Sequence, residues 1–179
     1  MADLQNDPVM NAIHNGIRRG INVVLENECF GSAAILILSA IDTMAYLSMP
    51  KDQQDVTSKD FIKWADTYIR FPGPEQLTGA ELYGARCAML HSYGVSSRMS
   101  REGKCRMIGY LDQSMPPIRY NPKVSKELVL VSLPALRDAL FRGIDRFLID
   151  TYKNPKSERA KLADERLTTL VHKLRAKEP

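Results

Sequence analysis

Tyr83-Gly84-Ala85-Arg86-Cys87-Ala88-Met89-Leu90-His91-Ser92-Tyr93 reads as the second half of a helix that begins near Pro74. Arg86 and His91 bracket an otherwise small and apolar run. At about 100° per residue the two sit about 140° apart around the axis, so they do not share one stripe. A local pair is therefore a poor account of them. An Arg side chain is long enough to wrap part of that angle, and His91 lies just before Gly94, where the helix is expected to end. A guanidinium that always carries charge and an imidazole that titrates near neutrality can then face a common space. Those two groups are the minimum equipment for metal-free chemistry on a phosphodiester. A satisfied structural His and a solvated Arg give the same spacing, so spacing alone leaves both readings open.

The surroundings add to the pattern. An apolar helix carries one acid in Ser39-Ala40-Ile41-Asp42-Thr43-Met44, then comes Phe61-Ile62-Lys63-Trp64, then the Arg86 helix. Arg-x4-His late in a helix, in this order of helices, resembles the motif of the HEPN superfamily over residues 8–152. The resemblance implies a mostly α, up-and-down bundle of about four to five helices, usually dimeric. It also implies metal-independent ribonuclease chemistry in toxin, defence or RNA-processing systems. Arg86 and His91 would be catalytic, with Asp42, Cys87 and Tyr83 in support. An antitoxin or a nucleotidyltransferase-type protein would be a fitting partner. Cys87 departs from the motif, because active members commonly carry a polar residue there.

The bulk properties bound the reading. With 179 residues, 44% hydrophobic and 26% charged, the chain suits one soluble domain with a real core. No uninterrupted apolar run reaches the roughly 18 residues of a membrane span; Ala33 to Ile41 is the longest, and Asp42 stops it. The polar, acidic start Met1 to Asp7 is no signal peptide. Cys29, Cys87 and Cys105 lack metal-ligand spacing and suit a reducing cytoplasm better than a disulfide frame. No metal or cofactor is expected. From Lys153 to Pro179 five Lys and three Arg face four acids, whereas the preceding 152 residues carry 17 charges of each sign. The net +4 belongs to the tail.

In chain order, Pro8 to about Glu28 reads as a first helix with Asp7 as its cap and Val9, Ile13, Ile17, Ile21, Val24 and Leu25 as its stripe. His14, Arg18 and Arg19 lie off that stripe and are expected in solvent. The second helix, Ser32 to Ser48, is apolar nearly all round and should be central; Asp42 inside it needs a partner, and Arg86 is the first candidate. Thr57 and Asp60 look like the start of a third helix, stopped by Phe71-Pro72-Gly73-Pro74. In the fourth, Gly79, Ala80, Gly84, Ala85 and Ala88 would let another helix approach, consistent with packing near a two-fold axis.

After Gly94 a polar basic loop runs to Lys104. Cys105–Leu111 and Glu127–Ser132 read as strands separated by an irregular loop with Pro116, Pro117 and Pro122, giving an appended antiparallel β-hairpin at about 105–132. Ser132 caps a fifth helix to about Tyr152, and Ser157 to Ala176 forms a basic helical extension within 153–179, where His172 is incidental. That tail could dock on its own bundle, pack on a partner, or fray.

Two functions follow. In a metal-independent endoribonuclease, His91 would serve as general acid–base and Arg86 would clamp the phosphate, two such sets lining one homodimer cleft. Arg98, Arg101, Lys104 and Arg106 would give the cleft a basic rim for RNA. The alternative is a non-catalytic module that binds a nucleotide, RNA or a protein. Cys87 and the modest charge of the bundle favour it.

Overall fold

The computed structural model describes residues 7–112 and 116–171. The chain opens with a π-helical segment, Val9–Arg18, that runs straight into α1, Arg19–Glu26. Val9, Ile13, Ile17 and Ile21 recur every four residues, a spacing that a winding wider than 3.6 residues per turn keeps in line. Asp7 caps the start, its carboxylate accepting from the Met10 N–H at 2.9 Å. Arg18 corrects an expectation. It is mostly buried, it pairs with Asp145, and it donates to the Phe141 carbonyl at 3.2 Å.

α2, Phe30–Ser48, is the helix the others are built on, packing against α1 and four later helices. Ile37, Leu38, Ile41, Met44 and Ala45 are fully enclosed. Averaged over its length it is apolar enough to cross a membrane, although no uninterrupted run suggested it. Here that character fills the core instead. α3, Ser58–Tyr68, starts at the expected capping box, with Thr57 and Asp60 satisfying each other's free groups. α4, Gly79–Ser92, starts later than Pro74 because a second capping box, Thr78 with Glu81, fixes its first turn. The residues before it form a loop that Gln76 staples to the Phe71 N–H and carbonyl.

The stretch after Gly94 is not a plain loop. Ser97 caps a single-turn helix, α5, Arg98–Arg101. Beyond it lie β1, Met107–Leu111, β2, Ile118–Arg119, and β3, Leu128–Ser132. The expected antiparallel hairpin does not form. β1 and β3 run parallel, Met107 opposite Leu128 and Leu111 opposite Ser132, in a sheet ordered β1-β3-β2. Residues 112–127 are a connection long enough to bring the chain back in the same direction. The proline-rich linker also supplies a strand of its own, since Ile118 pairs antiparallel with Val131. Pro116 and Pro117 stop just before it.

Ser132 ends β3 and caps α6, Leu133–Tyr152, accepting from the Ala135 N–H at 3.1 Å. α7, Glu158–Leu167, docks on α2 and α6 with Ala160, Ala163 and Leu167 buried. Arg166 bonds the Met49 and Pro50 carbonyls at the end of α2, and Arg159 donates to the Tyr68 hydroxyl at 2.8 Å. The tail therefore docks on its own bundle through Leu170, but the expected helix to Ala176 stops at Leu167 and Val171 stands in solvent; His172 and the rest lie outside the described residues. The architecture is mostly α with one small three-stranded sheet.

Candidate functional site

α4 is enclosed on most sides. Gly79, Glu81, Leu82, Gly84, Ala85, Ala88 and Met89 are buried, which leaves Tyr83, Arg86, Cys87, Leu90 and His91 facing outward at steps of three and four. Two of the small residues serve contacts inside the chain, and at Gly79 the helix that approaches is α3. A Cβ on Gly79 would lie 2.4 Å from the Ile62 carbonyl of α3, and one on Gly84 would lie 2.7 Å from the Cys105 sulfur.

Arg86 stands on the α2 edge of the outward stripe. Its Nε donates to Asp42 Oδ2 at 2.8 Å, the partnership that a carboxylate in α2 demanded. The two side chains retain 27% and 25% exposure, so the pair is half-buried rather than sealed. Burial alone would lower the pKa of the guanidinium; the Asp42 bond outweighs it, and the pKa rises. The Cys87 thiol also bonds to the guanidinium and adds to the rise. Tyr83 lies one turn earlier, its ring edge-on to Phe61 at 5.4 Å. Burial first, then the neighbouring Cys87 thiol, raises the phenol's pKa.

His91 stands on the other edge. It is exposed and makes no hydrogen bond or ion pair among the described residues. The fold places Arg86 and His91 on the two borders of one solvent-facing stripe without joining them. The helix ends just beyond, at Tyr93 rather than at Gly94, with Tyr93 in the left-handed conformation at φ 51°. The N–H of Tyr93 closes on the Met89 carbonyl at 3.0 Å.

The expected basic rim divides. Arg106 is not on it: its guanidinium is bound to Glu81, whose side chain is only 5% exposed, and stacks 4.3 Å above the Tyr120 ring. Arg98 and Lys104 share Glu102, at 2.9 and 2.6 Å. Arg101 is exposed and has no ion pair among the described residues. Glu81 itself went unread in the sequence, although Thr78-Gly79-Ala80-Glu81 is a legible capping box. Nothing local could have shown its second role, the bond to Arg106 across 25 residues. Among the described residues no group of three His, Cys, Asp or Glu side chains is placed to hold a metal ion. The chain matches no protein-family model, no curated protein and no solved structure.

Proposed function

We propose that this chain is an endoribonuclease of HEPN type that works without a metal, with Arg86 as phosphate clamp and His91 as general acid–base. The observation that carries the reading is the state of Arg86. A guanidinium oriented through Nε by Asp42, half-buried beside the Cys87 thiol and still 27% exposed, presents a fixed cation to a phosphate rather than a freely solvated charge. It shares an outward stripe with an imidazole. In the reaction a 2′-hydroxyl attacks its own phosphodiester. One imidazole takes the hydroxyl proton, the guanidinium offsets charge on the phosphoryl oxygens, and a second imidazole protonates the leaving 5′-oxygen. One chain has one His91, so the two proton transfers call for a homodimer with the outward stripes of two copies facing one cleft.

The test is cleavage of single-stranded RNA by purified protein in the presence of chelator. The 5′ fragments should carry a 2′,3′-cyclic phosphate or its hydrolysed form. His91→Ala and Arg86→Ala should each slow cleavage by at least about 10²-fold while circular dichroism stays unchanged. Equal trace activity in wild type and His91→Ala would defeat the enzyme reading. A second reading, a non-catalytic binding module, has its own support. No group among the described residues fixes the His91 ring, and Cys87 occupies the position where active members commonly have a polar residue. Binding of RNA or nucleotide without cleavage would select it.

A further inference from the structure

Tyr93 is a large aromatic in a position that ordinarily goes to glycine. A helix most easily stops on a residue with positive φ that lacks a Cβ, and Gly94 stands next in the chain. Here the left-handed conformation is taken by the tyrosine, at φ 51°, against the backbone strain that any side chain adds there. The consequence is positional. Tyr93 is 65% exposed, yet the tip of its ring touches α2. A Cβ added to Gly31 would lie 1.7 Å from the Tyr93 hydroxyl and 2.3 Å from Cζ, so the phenol tip rests on the bare backbone of α2. An aromatic set at a helix end, touching α2 at its tip and open to solvent along its face, is a ready stacking surface.

Its neighbours say what would stack. Tyr93 follows His91 by two residues, and it lies about 10 Å along the chain from Arg86 at 1.5 Å per residue. That is the scale separating a phosphate from the base of a neighbouring nucleotide. Arg98 and Arg101 follow on α5, and Arg101 has no ion pair among the described residues. We infer that Tyr93 is a nucleobase-stacking platform that seats an unpaired base of single-stranded RNA beside the Arg86–His91 stripe, with Gly31 as the seat that holds the ring. The inference rests on the phosphodiester reading above and adds the residue that seats the strand, which needs a base free to leave the stack.

Tyr93→Gly is the informative variant, because glycine suits the positive φ and removes only the ring. Binding is read by fluorescence anisotropy of a short labelled oligoadenylate and of an abasic strand of equal length and charge, both on the His91→Ala background so that nothing is cleaved. With Tyr93 present the base-bearing strand should bind more tightly than the abasic one by about 5- to 100-fold, the scale of one base stacked on an aromatic. Tyr93→Gly should erase that preference and Tyr93→Trp should keep it. Gly31→Ala, which displaces the phenol tip, should reduce it. If Tyr93→Gly binds both strands as its parent does, or if no RNA binds at all, the platform is overturned. The nuclease reading is scored separately. Cleavage with an unchanged KM in Tyr93→Gly sinks the platform alone, and base-selective binding without cleavage in the wild type sinks the nuclease alone.

Discussion

Asp42 and Glu81 are both carboxylates in contact with an arginine of a distant segment, and they differ in burial. Asp42 keeps a quarter of its side-chain surface in solvent, whereas Glu81 keeps 5%. Water softens the loss of a partner in the first case and cannot in the second. Asp42→Asn should therefore lower stability by about 1–2 kcal/mol, most of it shared with Arg86→Ala in a double-mutant cycle read by denaturant unfolding. Absence of coupling would mean that the 2.8 Å bond is not what holds Arg86. Glu81→Ala strands Arg106 and also removes half of a capping box, so it should cost about 3 kcal/mol or more. Cys105 belongs to the same neighbourhood. Burial first, then the charge of Glu81, keeps its thiol protonated above the usual range.

At the scale of elements, helix starts carry much of the specification. α3 and α4 both begin on a Thr whose side chain and backbone are tied to an acid three residues on. Asp60 shows the electrostatic consequence. Burial pushes its pKa up, but the bonds from Thr57 and Gln53 win and hold it below the usual carboxylate value. A folded-state pKa below the unfolded one contributes stability above the unfolded value, and that contribution is lost as pH falls through the folded value. The stability difference between wild type and Asp60→Asn, followed by denaturant midpoint against pH, should thus narrow in acid. A gap that stays constant would leave Asp60 without an electrostatic role. The start of α4 is the more consequential one. Gly79 touches the α3 backbone and its N–H donates to Asp66 at 2.6 Å, so this end of the motif helix is pinned and the His91 end is the open one.

For the whole molecule, α7 is a brace. Leu167 is buried, and Arg166 closes the carbonyl end of α2 on the side away from Tyr93. Leu167→Ala should cost about 2–4 kcal/mol and lower the thermal midpoint by several degrees in a calorimetric scan. An unchanged midpoint would mean that the extension is not part of the cooperative unit. The shared-cleft mechanism makes a separate demand, a dimer. Light scattering at micromolar concentration should give twice the chain mass. The row of small residues cannot supply that interface, since α3 and the Cys105 segment already cover Gly79 and Gly84.

Sequence alone determined the long core helices, because apolar period and capping chemistry are local. Val9 to Ile21, Thr57 with Asp60, and Ser132 before Leu133-Pro134 each state their element within a few residues. It also determined that Asp42 needed a cation, since a carboxylate in an apolar helix has few other solutions. Tertiary structure decided which direction the strands run, because an apolar run such as Leu128 to Val131 is equally good parallel or antiparallel, and only the path of residues 112–127 separates the two. It decided that Arg106 is an internal tie while Arg101 is exposed with no ion pair among the described residues, two residues of one type that differ only in what folds against them. It decided, too, that Arg86 and His91 border one surface. Their angle about the helix was known from spacing, but which arc of α4 faces solvent depends on every neighbour packed around the rest of it.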